Sequence, residues 1–499
     1  MATKTKKTNK QTKKKSNGTI FTANTAGMPL HQDFLKALLW RCKYGNYELK
    51  VIETPPVIKD EKAQWDGVPM ESRVSYDTRE IKLNNNFRML NLGVSPLSSN
   101  PTGDIAGNTR ETILVASPKQ TSETIPNMET LPRLLLSTGS INRPVYPYGK
   151  KSTEKARMNH LIGAYIIEVK DSETFFPFNI QAFSDGSFAD RGVRYFPNGK
   201  KVKIQKSEIV RVDGDDHAAE SDTEVCALLD KIQQHEVQAW CKISHDTWSQ
   251  AVSNHHSLGE KITNAKSVAS GLYKVEQEIG ITHDFLSARS KIFDQVVVIP
   301  ANHNEALDRM LEDGRYLEES VNWLSGHVLS LAKYYDVDPV KFATGHYPNF
   351  MEVIEKFMQA VKDDKAVDFK LSSKTSLDNV KFLKKGQSFR FGGFELARHG
   401  DEGGNGSKGS PKAMRRIHGN CVTGHTHSPC LYNKAGVVGT GTGTPEKDHS
   451  PGYAKNKPSS WMNAVIFVYA PADLKGEGTI QLCNIINNEW TTQKFSTAK

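Results

Sequence analysis

Between residues 208 and 427, short apolar runs repeatedly give way to Asp, His or Asn. This recurrence constrains the fold more than any other feature of the chain. Residues 209–212 lead into Asp213-Gly214-Asp215-Asp216-His217, and residues 237–244 into His245-Asp246. Residues 295–299 lead into Ala301-Asn302-His303-Asn304, residues 388–397 into His399, and residues 421–423 into Gly424-His425-Thr426-His427. Short apolar runs bounded by turn-forming residues read as buried strands. The intervening segments carry helical faces, with Val225, Leu228, Leu229 and Ile232 on one and Val268, Leu272 and Val275 on the next. Residues 305–365 read as mostly helical, marked by Leu307, Met310, Leu311, Val321, Leu324 and Val328. The alternation predicts an α/β sheet, and strands that end in polar residues place their side chains along one sheet edge, where open α/β sheets put their active sites.

Carboxylate, carboxamide and imidazole donors along one edge suit manganese, iron or zinc rather than an all-oxygen calcium cage. Two such ions about 3.5–4 Å apart activate water and neutralise charge on a phosphoryl oxygen, and a carboxylate shared between them holds them at that spacing.

The order Asp-x-His, Asp, Asn-His, lone His and Gly-His-x-His over residues 208–430 resembles the five blocks of the calcineurin-like metallophosphoesterases. The resemblance implies a sandwich of two mixed sheets flanked by helices, with a helical insertion at about 305–365. It also implies that Asp215, His217 and His427 bind a first metal, that Asp246 bridges both, and that Asn302, His399 and His425 bind the second. The ions would be two divalent cations, manganese first, with iron, zinc or magnesium as alternatives. A metal-bound hydroxide would attack phosphorus while His303 protonates the leaving oxygen or stabilises its charge.

The chain departs from the family pattern at His245 and Ser249, where the family has Gly and an acid, and at Ala301 and Asn304, where it has Gly and Asp or Glu. Asn304 can orient His303 without adding charge, and Asp308 or Glu305 are alternative partners. The wording His245-Asp246 followed by Asn254-His255-His256 is similar to a phage subset, as is the opening Leu30-His31-x-x-Phe34-Leu35. That subset is related to the nuclease subunit of the double-strand-break repair complex and includes the pre-early DNA-degrading, DNA-transfer proteins of tequintavirus-like coliphages. It implies DNA as substrate, a homo-oligomer and a place in the host cytoplasm, and it leaves room for a host factor.

Each assignment has a plainer competitor. Asn302-His303 also suits a helix start, and His418 rivals His399, which has a strand before it and the glycine-rich stretch 400–409 after it. His245 suits a supporting role behind a ligand. His255 and His256 divide between substrate or ligand support and an ordinary surface helix start. Lys412, Arg415 and Arg416 form a basic cluster that either contacts a phosphate backbone or is a solvated face. The chemistry leaves two other functions open: a metallophosphatase acting on nucleotides or phosphoproteins, and a metal-bound DNA-binding or scaffold protein without turnover.

The remainder of the chain is less specific. Seven lysines between residues 4 and 15, with no acid among them, supply most of the net charge of +9 and leave 58 Lys and Arg against 56 Asp and Glu elsewhere. The folded body is therefore near neutral, and residues 1–17 read as a disordered basic tail able to hold phosphates without reading sequence. Residues 18–204 read as a smaller α/β domain of unassigned role. They open strand-helix-strand, pass through an irregular Ser/Thr/Pro/Gly/Asn-rich connection at 94–127, and continue in further strands. Residues 205–499 read as the metallophosphoesterase domain. No apolar run is long enough for a membrane span, and the six scattered cysteines lack CxxC spacing, which fits reduced thiols in a cytoplasm.

Overall fold

The computed structural model describes residues 16–128, 133–249, 273–318, 321–347, 350–365, 377–404, 410–441 and 458–492, with isolated positions between 265 and 271. His255 and His256 lie outside the described residues.

Among these residues the chain forms two large mixed sheets flanked by helices, a mixed α/β architecture in layers. The first sheet runs in the spatial order Val380–Phe382, Gln295–Val298, Cys241–His245, Ile209–Asp215, Ala464–Tyr469, Thr479–Asn484, Phe175–Gln181, Gly163–Val169, Gly18–Thr25, Tyr47–Thr54, Arg73–Val74. The four strands from Val380–Phe382 to Ile209–Asp215 are parallel, so their C-terminal ends share one edge, and Ala464–Tyr469 closes them antiparallel. The second sheet runs from Arg390–Phe391 through Phe394–Glu395, Cys421–Thr423, Ala435–Val437 and Cys430–Tyr432 to Ser117–Ile125, and continues in strands from residues 80–139.

Patterning explains the layers. In Ala464–Tyr469, Ala464, Ile466 and Val468 enter the core between the sheets while Val465, Phe467 and Tyr469 enter the core under the helices. A strand buried on both faces must be apolar throughout. Val210, Val212, Ile243 and Val297 meet Leu396, Val422 and Leu431 between the sheets. On the outer face the helix Thr223–His235 packs Val225, Leu229 and Ile232. Asp222 starts that helix by accepting from the backbone N–H groups of Glu224 and Val225, which would otherwise lack partners. The stretch expected to be a helical insertion holds the helices Asn304–Glu312, Trp323–Tyr334, Pro339–Gly345 and Phe350–Lys362, which share a separate core with Trp248.

Two findings depart from the sequence reading. Residues 94–127 are not a single irregular connection, because they contain the strands Thr112–Val115 and Ser117–Ile125. The second strand escapes a hydropathy reading because Lys119, Gln120, Thr121 and Ser122 are all buried. Gln120 crosses to the first sheet, donating to the carbonyls of Ala164 and Ile180 and accepting from Asn179 and Gln181. The change of pattern near residue 204 also does not interrupt either sheet. Phe175–Gln181 pairs with Thr479–Asn484, and Ser117–Ile125 pairs with Cys430–Tyr432. No helix among the described residues is long and apolar enough to cross a membrane.

Candidate metal centre

The parallel strands Ile209–Asp215 and Cys241–His245 deliver Asp215, His217 and Asp246 to one edge, and the turn after Gln295–Val298 brings Asn302 and His303 to the same place. Backbone hydrogen bonds from His217 N–H to Asp246 carbonyl and from Asp216 N–H to His245 carbonyl lock the first two loops together. The second sheet supplies His399, His425 and His427 from the opposite side. All seven residues expected to bind metal therefore converge on one place, together with His303 and His245.

The donor atoms fall into two adjoining sets that share residues, and Asp215 also groups with His245 and His399. Asp215, His217 and His427 present donor atoms within 4.8 Å of one another, and His427 Nε2 lies 2.9 Å from Asp215 Oδ2. In the other set, His399 Nε2 lies 3.0 Å from Asp246 Oδ2 and 2.8 Å from Asn302 Oδ1, which is also 3.1 Å from His425 Nδ1. Asp246 also groups with His217 and His303, their donor atoms lying within 4.8 Å of one another, so its carboxylate reaches both sets.

These residues fit a cation. Both ring nitrogens of His217, Nε2 of His245 and Nδ1 of His427 are buried without a hydrogen-bond partner among the described residues. Each such group costs about 1–3 kcal/mol when left unsatisfied, and a metal ion accepting the lone pairs removes much of that cost. Four of the candidate ligand residues also hold left-handed backbone: His217 at φ 38°, Asp246 at 35°, His425 at 74° and His427 at 57°. Residues other than glycine rarely adopt this conformation, and where it occurs it concentrates at functional sites that aim side chains inward.

The electrostatics agree with the geometry. Burial alone would raise the Asp215 carboxyl, but His399 and His427 outweigh it and hold it well below the usual range. Burial would likewise raise Asp246, and His399 and His303 bring it below that range instead. Burial pushes the His217 and His245 imidazoles down to about 3, so both are neutral and carry a lone pair at pH 7. For His399 burial is overcome by Asp246 and Asp215, and it is pushed up to about 10, so an ion bound through this ring would displace a proton.

Around this centre lie groups whose roles sequence alone did not show. Lys242, fully buried, pairs with Asp213 at 3.1 Å and Asp216 at 2.8 Å, while Arg211 holds Asp213 at 2.6 Å. Two buried cations thus balance two buried carboxylates and brace the loop that carries Asp215 and His217. The partners of Asp213 and Asp216 are revealed only by tertiary contact. His245 stands directly behind a ligand, its Nδ1 3.3 Å from His399 Nδ1. The facing nitrogens require one donor and one acceptor, so this pair sets the ring orientation of His399.

His303 is oriented by a backbone carbonyl, because its Nδ1 lies 2.8 Å from Ser249 O. A carbonyl only accepts, so Nδ1 carries the proton and Nε2 is the basic nitrogen. Asn304, expected to orient His303, instead accepts from Trp248 N–H and donates to the Ile299 carbonyl. It acts through the segment that presents Ser249. The alternative partners Asp308 and Glu305 pair with Lys333 and Lys385. His418 lies with His399 along a cavity of about 300 Å³ but belongs to neither ligand set. Arg415 and Arg416 lie on the helix Pro411–His418, with Arg415 donating to Asn159 Oδ1 at 2.7 Å.

No family model matches the chain, and no solved structure does. Among curated proteins, the chain is 26% identical over 404 residues to Protein A1 of Escherichia phage T5, an alignment covering 77% of this chain. The chain spans 66% of the length of that relative. What the structure and the comparison show together is a mixed α/β chain, similar to a phage protein, with buried Asp/His groups positioned to hold a metal ion.

Proposed function

We propose that the chain is a two-metal phosphodiesterase of the calcineurin-like type that degrades DNA, a phage-type DNase. The observation that carries this reading is the pair of adjoining ligand sets with Asp246 in reach of both. Asp215, His217, Asp246 and His427 would hold one divalent ion, and Asp246, Asn302, His399 and His425 the other. Manganese is the expected metal, with iron, zinc and magnesium compatible with the same donors. Such a pair supplies Lewis acidity toward a phosphoryl oxygen and a lowered pKa for water.

The remaining work falls to the chain. His303 keeps its proton on Nδ1 toward Ser249 and turns Nε2 toward the centre, where it would assist departure of the leaving oxygen. Lys242 and Arg211 hold the Asp215 loop rigid, and His245 keeps His399 from rotating. Similarity to a phage protein supports the phage assignment, and the resemblance to the repair-complex nuclease supports DNA over other phosphoesters. A homo-oligomer acting in the host cytoplasm, with room for a host factor, belongs to the same proposal.

The test is digestion of plasmid and linear DNA in manganese, with metal content measured on the same sample. We expect cleavage, and a loss of at least about 10³-fold in Asp246→Ala, because removing a shared ligand forfeits several kcal/mol of charge stabilisation. Hydrolysis of chromogenic phosphomonoesters without DNA cleavage would move the substrate to a smaller phosphoester. A fully metal-loaded protein inert on every phosphoester would defeat the enzymatic reading.

A further inference from the structure

A group of cationic side chains gathers at the seam where Ser117–Ile125 pairs with Cys430–Tyr432. Lys119, on the first of these strands, is only 2% exposed. Its ammonium forms no hydrogen bond or ion pair among the described residues, unlike the buried Lys242, which has two carboxylates. The charged groups acting on Lys119 are Lys155 and Lys412, and with burial they push it down to about 8. A nearly buried lysine with two more lysines acting on it is costly in the free protein, and a bound anion would offset that cost.

The neighbourhood is constructed rather than incidental. Lys155 lies on the helix Lys151–Asn159 and Lys412 on the helix Pro411–His418. Arg415 joins those helices through Asn159, whose carbonyl also accepts from Asn433. Lys412 and Arg415 both lie over the Tyr432 ring, at 6.0 and 5.6 Å. Helix Pro411–His418 also lines the cavity beside His399 with Met414, Ile417 and His418. One helix therefore connects this cationic site to the metal centre, which is how a polyanion longer than one phosphate would be held.

We propose that Lys119, Lys155 and Lys412 form a phosphate-binding subsite that grips the nucleic-acid backbone at a distance from the scissile bond. The choice of nucleic acid rests on the proposed function; the cationic cluster itself does not. Backbone contacts of this kind add affinity without sequence preference, and each lowers the salt dependence of binding by about one unit when removed.

The experiment is fluorescence anisotropy with labelled duplex DNA across a salt series, in EDTA so that nothing is cleaved. We expect the full chain to bind, and Lys155→Ala/Lys412→Ala to bind at least about 10-fold more weakly at moderate salt, with its log–log salt slope reduced by about two. Lys155→Arg/Lys412→Arg should restore both. Lys119→Met should weaken binding while raising the melting temperature of the free protein, a combination that a purely structural lysine would not produce. Equal affinity and slope in wild type and the double alanine variant would overturn the subsite, even where manganese-dependent cleavage is intact. Lost binding in that variant without any wild-type cleavage would leave the subsite standing and remove the nuclease reading.

Discussion

Glu168 shows how much a single side chain can hold together in this molecule. Its carboxylate accepts from Tyr47 Oη at 2.5 Å, Arg191 Nη1 at 2.6 Å and Thr491 Oγ1 at 2.6 Å. Arg191 is also paired with Asp190 at 2.9 Å, and Asp190 with Arg41 at 2.8 Å, all four charged groups being buried. Burial alone would raise both carboxyls, but Arg191 with the Thr491 and Tyr47 hydroxyls holds Glu168, and Arg191 with Arg41 holds Asp190, below the ordinary carboxylate range. A depressed folded-state pKa contributes stability that is present above the unfolded value and lost as pH falls through the folded one. Acid unfolding monitored by circular dichroism should therefore show stability declining below about pH 4.5, the ordinary range for these groups. Glu168→Gln should cost about 3 kcal/mol or more at neutral pH, because Arg191 loses a partner while still buried, and should flatten that decline. An unchanged acid profile would show that the network carries no linked protons.

At the level of elements, the turn joining Cys421–Thr423 to the metal centre is constrained by what it must pass. A Cβ added at Gly424 would sit 2.4 Å from Asp215 Oδ1 and 2.9 Å from His245 Nδ1. The neighbours are a fully buried carboxylate and a fully buried ring, and neither has room to move. Gly424→Ala should cost about 1–3 kcal/mol of stability, as overpacking does, and should lower metal content by displacing Asp215. Thermal melts and elemental analysis of the purified variant would check both; normal metal content would show that the loop relaxes elsewhere. Glycine before His425 is readable in sequence as part of Gly-His-x-His, whereas the clash that requires it is not. The same holds for Asn304, visible as a departure but assigned to His303 until its contacts with Trp248 and Ile299 were seen.

Across the whole molecule, the residues before 205 and those after it share both sheets. A chain starting at residue 205 would strip Phe175–Gln181 from Thr479–Asn484 and Ser117–Ile125 from Cys430–Tyr432. It would leave the polar edges unpaired and expose the apolar faces beneath Val465, Phe467 and Cys483. We expect residues 205–499 produced alone to be insoluble or to lack a cooperative melt. Recovery of a monomeric, cooperatively melting fragment with normal metal content would show that the two parts fold independently.

The candidate metal ligands were readable in linear order because each follows a strand, and a strand buried on both faces must be apolar up to the point where its end meets the site. Apolar runs ending in Asp, His or Asn therefore carry both the sheet and its functional edge. Contacts between distant segments carry no such mark. That Asp213 and Asp216 pair with Arg211 and Lys242, that the Ser249 carbonyl orients His303, and that a polar stretch around Gln120 forms a buried strand joining the sheets were decided only in three dimensions. A polar group's role depends on which partner packs against it, and neighbouring residues in the chain do not specify that partner.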